Sequence, residues 1–216
     1  MPRSVDSRSG QPRGVDSAMQ HGLGPELIAG QRGVVVWLTG LSGAGKTTIA
    51  HAAQVALRRV GRTVFVLDGD ELRKTLCSDL GFSPTDRNEN LRRASEVAAL
   101  MADAGLIVIA AFITPEHAQR ERARALIGAR RFLEVFVRTS LATCERRDPK
   151  GLYARVRAGS IPEFTGIGSR YEEPTNPDLV LATEDRSAVE CASRLVEILI
   201  QRGDLTMASA VPPELG

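Results

Sequence analysis

The chain has 216 residues, enough for one α/β domain with a substantial core. Hydrophobic residues make up 43% of it, charged residues 25%, and the formal net charge is +2. This composition is ordinary for a soluble protein and calls for neither nucleic acid nor a membrane as partner. No apolar run approaches the length of a membrane span, and the N-terminus lacks the apolar stretch of a signal peptide. Three cysteines without paired spacing favour a reduced, cytoplasmic protein over a disulfide framework or a zinc site.

Both ends of the chain have the composition of tails. Residues 1–30 are rich in Gly, Ser, Pro and Arg, and PRSVDS at 2–7 is nearly repeated as PRGVDS at 12–17. We expect a flexible N-terminal arm here; a basic docking segment is the alternative, although aspartates are interspersed among the arginines. Residues 203–216 predict a C-terminal tail, so the folded domain is expected to occupy residues 31–202.

Short apolar runs alternate with helix-length segments across this domain. The predicted strands are VVVWLT at 34–39, TVFVL at 63–67, LIVIAAFI at 106–113, FLEVFV at 132–137 and DLVLA at 178–182. Continuous apolarity is typical of parallel strands that are covered on both faces. Apolar residues at helical spacing predict helices at 46–60, 87–104, 115–128 and 186–202. The pattern predicts a three-layer α/β fold with a mainly parallel five-stranded sheet.

The first predicted strand is followed directly by a phosphate-binding loop. GLSGAGKTT at 40–48 matches the GxxxxGK[ST] pattern and opens a predicted helix, the context that this motif requires. Backbone N–H groups and the helix N-terminus would hold phosphate oxygens, Lys46 would reach the β- and γ-phosphates, and Thr47 would ligate magnesium. The predicted ATP-binding residues are Gly40, Leu41, Ser42, Gly43, Ala44, Gly45, Lys46, Thr47 and Thr48. A glycine-rich turn without function is the alternative, and it leaves this context unexplained.

The loop alone does not separate kinases from switch GTPases or motor ATPases. The guanine-reading NKxD pattern is absent from the sequence, and the segment at 148–177 is interrupted by glycines and prolines and flanked by charges. A long irregular segment inside a compact domain is usually functional or disordered. Because it carries Lys150, Arg155 and Arg157, we interpret it as a lid over bound phosphates, which favours a small-molecule kinase.

Two carboxylates follow the second predicted strand, at the sheet edge where doubly wound folds bind ligands. Asp68 and Asp70 could hold the water around magnesium and face an acceptor hydroxyl. The alternative is purely structural, with Asp70 as a helix N-cap and Asp68 in a turn, and both interpretations can hold for Asp70.

The segment at 70–93 combines arginines with an aromatic ring and an amide. Arginine forks suit oxyanions such as phosphate or sulfate, and an aromatic side chain offers a flat purine a stacking face. The residues concerned are Arg73, Arg87, Arg92, Arg93, Phe82 and Asn90. An ordinary solvated helix is the alternative.

Several motifs in order make residues 30–202 resemble the adenylyl-sulfate kinase (adenosine 5′-phosphosulfate kinase) family. They are WLTGLSGAGKTT at 37–48, DGD at 68–70, DLGFSPTDRNENLRR at 79–93, AFITP at 111–115, RDPKGLY at 147–153 and FTGI at 164–167. Such kinases transfer the γ-phosphoryl of ATP to the ribose 3′-hydroxyl of adenosine 5′-phosphosulfate, and the product serves sulfate assimilation or sulfation. The resemblance also implies Mg²⁺, a homodimer and a possible association with ATP sulfurylase.

The resemblance assigns roles residue by residue. It implies Lys46, Asp68 and Thr114 as catalytic residues, with Thr47 and Asp68 at the metal. The nucleotide sulfate would be held by Asp70, Arg73, Phe82, Arg87, Asn90, Ile113, Thr114, Lys150 and Phe164. Phe164 would close from the lid and stack on the adenine opposite Phe82.

The chain departs from the family pattern at several positions. Thr114 stands where serine is usual, a position sometimes assigned a phosphorylated intermediate; direct in-line transfer needs none, and threonine keeps the hydroxyl. Glu116 and His117 replace the usual tyrosine and arginine, so Arg120 could supply a missing anion-binding arginine. Arg138, Gly168 and Arg170 replace aspartate, aspartate and proline.

These departures leave two alternatives open. One is a kinase of the same fold with another small-molecule acceptor, and the other is a non-catalytic nucleotide-binding partner of ATP sulfurylase. His51 and His117 could be proposed as catalytic bases, but a surface or packing role is favoured for both.

Overall fold

The fold was analysed in a computed structural model, which describes residues 31–161 and 164–206. The predicted arm at 1–30 and residues 207–216 of the predicted tail lie outside the described residues and stay predictions, whereas the predicted start of the tail at 203 is wrong because Asp204 and Leu205 are buried. The strands are β1 (Val34–Thr39), β2 (Val64–Asp68), β3 (Ile107–Ala111), β4 (Phe132–Arg138) and β5 (Leu179–Ala182). The helices are α1 (Lys46–Arg59), α2 (Gly69–Lys74), α3 (Pro84–Asp103), α4 (His117–Ile127), α5 (Leu141–Arg147), α6 (Leu152–Arg157) and α7 (Ala188–Gln201).

The five strands form one parallel sheet in the order β2-β3-β1-β4-β5. Val36 of β1 pairs with Ile109 on one side and Leu133 on the other, so β1 is the central strand. The predicted parallel five-stranded α/β fold is therefore confirmed. Because β1 is central, the loop that follows it emerges at the middle of the sheet's carboxyl edge, where ligands bind in such folds.

Helices cover both faces of the sheet, which explains why the strands are apolar throughout. Val34, Val36 and Leu38 face a core shared with α1 and α7, whereas Val35 and Trp37 face a second core shared with α3. Trp37 is fully buried and stacks on Phe112 with ring centroids 5.1 Å apart. Alternate residues of β1 therefore enter different cores, and neither face of the strand reaches solvent.

Three short helices were not predicted from the sequence. α2, α5 and α6 span six, seven and six residues, too few for an apolar period to appear. The interpretation of 148–177 as irregular throughout is wrong, because α6 lies within it. The Asp148 carboxylate starts α6 by accepting hydrogen bonds from Tyr153 N at 3.1 Å and Ala154 N at 3.0 Å.

The ends of the longer helices follow local hydrogen bonding. α3 begins three residues before its predicted start, because Ser83 Oγ accepts a hydrogen bond from Asp86 N at 3.1 Å and Pro84 occupies the first turn. Past the predicted domain end, Leu205 is buried and Asp204 O accepts a hydrogen bond from Arg32 N at 2.9 Å. Among the described residues, no helix is long and apolar enough to cross a membrane.

Candidate active site

The phosphate loop turns sharply between β1 and α1. Gly40 and Gly43 have φ angles of 149° and 76°, which side-chain-bearing residues rarely adopt. A Cβ at Gly40 would lie 2.5 Å from Val137 O of β4, so this glycine also permits a close backbone approach. The loop conformation thus depends on the glycines of the motif, and Lys46 and Thr47 open α1 directly behind it.

Lys46 is folded back onto the phosphate loop. Its side chain is buried, and Nζ donates hydrogen bonds to Gly40 O and Leu41 O, both at 2.8 Å. Burial, with the nearby Lys150 charge second, lowers the pKa of Lys46 to about 8. A phosphate group bound in the loop would favour the charged ammonium and offer acceptors to its N–H groups.

One carboxylate joins the phosphate loop to the start of α2. Thr47 Oγ1 donates a hydrogen bond to Asp68 Oδ2 at 2.7 Å, and Asp68 Oδ1 accepts one from Asp70 N at 2.8 Å. Asp68 is therefore the N-cap of α2, and the alternative that made Asp70 the cap is wrong. The helix begins at Gly69, which leaves the Asp70 side chain free to pair with Lys150 of the predicted lid.

The hydroxyl of Thr47 and the carboxylate of Asp68 suit a magnesium ion. Both are hard oxygen donors, and they lie within hydrogen-bond distance of each other beside the phosphate loop. Among the described residues, no cluster of three or more His, Cys, Asp or Glu side chains could hold a metal ion alone. A magnesium ion that takes most of its ligands from water and phosphates does not need such a cluster.

Arg73 and Arg87 frame an exposed aromatic ring. The Arg73 guanidinium lies over the Phe82 ring, 4.5 Å from its centroid, and the ring is 70% exposed. Arg87 Nε donates a hydrogen bond to Phe82 O at 2.9 Å, and its Nη1 lies 3.5 Å from Thr165 Oγ1 across the cleft. An exposed ring with one guanidinium over it and a second bonded to its backbone can accept an aromatic base that carries an anionic group.

The other two arginines of this segment have structural roles. Arg93 contacts Asp79 at 2.7 Å and Glu89 at 2.9 Å, and Arg92 contacts Glu89 at 2.8 Å. The structure favours the alternative of a charged helix face for Arg92 and Arg93, because both guanidiniums are held in ion pairs near their own helix. The ion pair of Arg93 with Asp79 holds α3 against the preceding loop, which is the role that a charged helix face would have.

Asn90 is a buried amide with an unused acceptor. Its residue is only 4% exposed, and Oδ1 has no hydrogen-bond partner among the described residues. A buried carbonyl without a partner is costly, so Asn90 Oδ1 is available to an N–H or O–H group of a ligand or a water molecule.

The turn after β3 joins the phosphate loop to the acceptor side. Ile113 O accepts hydrogen bonds from Thr39 Oγ1 at 2.7 Å and from Gly40 N at 3.4 Å. Thr114 is 1% exposed, and its hydroxyl accepts a hydrogen bond from Trp37 Nε1 at 3.0 Å. The Thr114 side chain thus points into the core.

Arg120, which could have replaced a missing anion-binding arginine, is buried beside a carboxylate and is not exposed. It is 1% exposed, lies 3.0 Å from Glu134 and donates a hydrogen bond to Thr114 O at 3.0 Å. Of the two departures beside it, Glu116 has a structural use, because it forms a capping box with Gln119. His117 contributes only its backbone N–H, which donates to Glu172 Oε2 at 2.7 Å.

In the predicted lid, Phe164 is buried and packs edge-on against Tyr153, with centroids 5.0 Å apart. A cleft of about 480 Å³ opens between the lid and the turn from β4 into α5, with Leu41 of the phosphate loop at its edge, and the departures Gly168 and Arg170 line it together with Ser140 and Tyr171. The lid is therefore anchored to the core at Phe164 while it borders open space beside the loop.

Sequence reasoning missed the residues that hold the loop from the β5 side. Arg147 donates to Thr183 Oγ1 at 2.9 Å and to Thr183 O at 2.7 Å, and Thr183 Oγ1 donates to Ala44 O at 3.1 Å. The position of Thr183 just after a predicted strand was the available signal, since strand ends share one sheet edge.

The fold and the site define a class. A glycine loop after the central parallel strand, a buried lysine at the helix start and a hydroxyl–carboxylate pair beside them are the parts of a P-loop phosphotransferase.

Comparison with known proteins identifies the family. Residues 32–182 match the family described as Adenylylsulphate kinase, and the chain belongs to that family. The adenylyl-sulfate kinase of Citrobacter koseri is 53% identical over 180 residues, which cover 83% of this chain and 89% of that protein. The chain is thus a kinase that transfers a phosphoryl group to an alcohol.

Solved structures agree. The Mycobacterium tuberculosis APS kinase in complex with AMPPNP and APS is 51% identical with a TM-score of 0.75, covering 79% of this chain and 99% of that one. A hexameric APS kinase from Thiobacillus denitrificans is 32% identical with a TM-score of 0.63, covering 82% of this chain and 30% of that one.

Proposed function

We propose that this chain transfers the γ-phosphoryl group of ATP to the ribose 3′-hydroxyl of adenosine 5′-phosphosulfate, giving 3′-phosphoadenosine 5′-phosphosulfate. The observation that carries the proposal is the double contact of Asp68. One of its oxygens meets the Thr47 hydroxyl behind the phosphate loop, and the other caps α2, the helix that leads into the acceptor residues. A carboxylate in this position borders both substrates.

On the ATP side, residues 40–48 would hold the phosphates through backbone N–H groups and the N-terminus of α1. Lys46 would exchange its two loop carbonyl partners for phosphate oxygens, and a desolvated ammonium interacts more strongly with a phosphate than an exposed one does. Its role is to neutralise charge that develops on the transferred group.

Thr47 and Asp68 would hold magnesium, whose chemistry is to neutralise phosphate charge when it is bound. Asp68 would also accept the proton of the 3′-hydroxyl, because its carboxylate borders the acceptor helix. In phosphoryl transfer such positioning and charge neutralisation make up most of catalysis.

On the acceptor side, the exposed face of Phe82 would stack on the adenine, and Arg73 and Arg87 would bind the phosphosulfate oxyanions. Asn90 Oδ1 would accept a hydrogen bond from the nucleotide. The remaining proposed contacts are Asp70, Ile113, Lys150 and Phe164. Lys150 bridges from the lid to Asp70, which suits a segment (148–177) that closes over both nucleotides.

Thr114 would help to hold the substrates in position and would not carry the phosphoryl group itself. Its hydroxyl is buried and accepts a hydrogen bond from Trp37 Nε1 in the core. A covalent intermediate on this oxygen would require the hydroxyl to leave Trp37 and become exposed, whereas direct in-line transfer requires only that the two substrates be held in place.

The setting of the enzyme follows from its family and its chemistry. We propose a cytoplasmic homodimer that receives its substrate from ATP sulfurylase, with which it could associate, and delivers product to sulfate assimilation or sulfation. The core of the kinase begins at residue 31 and extends past the predicted end at 202 as far as Leu205, which is buried, with residues 1–30 as a flanking segment.

An ATP-consumption assay across acceptors tests the proposal. The purified chain is given ATP, Mg²⁺ and, in separate reactions, adenosine 5′-phosphosulfate, adenosine 5′-monophosphate and gluconate, with Lys46→Met as the inactive control. We expect fast turnover only with the phosphosulfate. Turnover on another alcohol alone would favour a different acceptor, and tight ATP binding without any transfer would favour a non-catalytic role.

A further inference from the structure

Thr114 has a backbone conformation that threonine rarely adopts. Its φ angle is +43°, in the left-handed region, and a β-branched residue there is strained. Strained residues persist only where their surroundings hold them, and they concentrate at functional sites. The turn formed by Ile113 and Thr114 must therefore be held by specific contacts.

Three side chains hold this turn from beneath. Trp37 Nε1 donates to Thr114 Oγ1 at 3.0 Å, and Thr39 Oγ1 donates to Ile113 O at 2.7 Å. Arg120 Nη1 donates to Thr114 O at 3.0 Å. The same turn meets the phosphate loop, because Gly40 N donates to Ile113 O at 3.4 Å. A shift of the turn would therefore move it relative to the phosphate loop.

Arg120 is buried with its counter-charge. The Arg120 and Glu134 side chains are 1% and 7% exposed, and Arg120 Nε lies 3.0 Å from Glu134 Oε1, an ion pair by distance and not a well-aligned hydrogen bond. Arg124 lies 3.0 Å from the other Glu134 oxygen, but it is 25% exposed. Apolar side chains can often replace a buried ion pair without loss of stability, so the pair calls for another explanation.

We infer that Arg120 is a positioning residue for phosphoryl transfer: with its charge balanced by Glu134, it fixes the Ile113–Thr114 turn against the phosphate loop so that the acceptor meets the γ-phosphoryl group. The expected kinetic effect rests on the proposed function, whereas the position of the turn can be measured without any activity. Small displacements of bound reactants are enough to slow a transfer a hundredfold.

The matched variants are Arg120→Lys and Arg124→Lys. Both shorten an arginine that contacts Glu134, but only Arg120 touches Thr114. For Arg120→Lys we expect kcat/KM for adenosine 5′-phosphosulfate to fall at least tenfold, with unchanged affinity for a non-hydrolysable ATP analogue. Arg124→Lys should stay within twofold of the wild type. Equal kinetics in the two variants, or an equal loss of ATP affinity, would overturn the inference.

Trp37 gives a readout that does not depend on activity. It is the only tryptophan of the chain, and its indole N–H donates to Thr114 Oγ1. Arg120→Lys should shift its fluorescence emission or its quenching, and Arg124→Lys should not. An unchanged Trp37 signal in Arg120→Lys would overturn the inference even if the acceptor is another alcohol. A wild-type chain that is inactive on the phosphosulfate would overturn only the proposed function.

A double variant covers the case in which Arg120→Lys does not fold. Arg120→Met with Glu134→Leu removes both buried charges, and Arg124 can turn to solvent. We expect a folded protein with the same selective loss of acceptor turnover and the same Trp37 change. Wild-type kinetics in this folded double variant would overturn the positioning role.

Discussion

Replacing Asp68 with asparagine should separate the catalytic role of this carboxylate from its structural one. In the wild type, Asp68 Oδ1 caps α2 through Asp70 N at 2.8 Å, and Oδ2 accepts from Thr47 Oγ1 at 2.7 Å. Asparagine keeps an oxygen for the cap, and the amide N–H₂ can donate to the Thr47 hydroxyl, which rotates to accept. The charge and the second acceptor oxygen are lost.

The magnitudes differ sharply between folding and catalysis. Asparagine is about as good an N-cap as aspartate, so the free energy of unfolding should fall by about 1 kcal/mol or less, which is about 2–4 °C in Tm for a domain of this size. Loss of a general base typically costs 10²–10⁴ in rate, and loss of a metal-facing carboxylate acts in the same direction. We therefore expect kcat to fall at least 10²-fold in a protein that melts almost normally.

The assay pairs coupled kinetics with thermal unfolding for three variants. Asp68→Asn tests the charge, Asp68→Ala also removes the cap and should lower stability by a further ~1 kcal/mol, and Asp103→Asn is a control at the end of α3, where the carboxylate pairs with Arg131. Activity of Asp68→Asn within threefold of the wild type would refute the reasoning, as would a Tm loss that alone accounts for the inactivity.

Three further predictions address other parts of the site. Burial lowers the pKa of Lys46 to about 8, and bound phosphates favour the ammonium, so binding of an ATP analogue should take up protons at pH 8.5 and few protons at pH 7. Calorimetry in two buffers measures this proton uptake, and uptake that persists in Lys46→Met would contradict the prediction. Phe82→Ala should raise KM for the acceptor about 5- to 150-fold, the equivalent of about 1–3 kcal/mol of stacking, and should barely change Tm. Phe65 is also exposed, so Phe65→Ala is the control, and equal effects of the two variants on KM would argue against stacking. With chiral γ-phosphate, the product should show inversion at phosphorus, whereas net retention would indicate a phosphorylated Thr114.

The sheet and the phosphate loop were predictable because each leaves a long or dense signal. Five continuous apolar runs require a sheet covered on both faces, and the GLSGAGKTT motif occurs right after the central one. The short helices α2, α5 and α6 leave no such signal. They begin where a single polar side chain, such as Asp68 or Asp148, meets the backbone, and that depends on where the preceding strand or turn ends.

The acceptor side was only partly predictable, because residue type does not say which partner a side chain meets. Arg73 and Arg93 are both arginines of the same segment, yet one lies over Phe82 and the other is held by Asp79 and Glu89. Arg120 is a third example: any arginine can bind an anion, and only the structure shows that this one is buried beside Glu134.

The position of the new phosphate on the product tests the central claim most directly. The purified chain is incubated with ATP, Mg²⁺ and adenosine 5′-phosphosulfate, and the nucleotide product is isolated and examined by ³¹P and ¹H NMR. We predict phosphorylation at the ribose 3′-oxygen alone, and no reaction with the 3′-deoxy analogue. A product phosphorylated elsewhere, turnover of the 3′-deoxy analogue, or no product from this substrate would contradict the account.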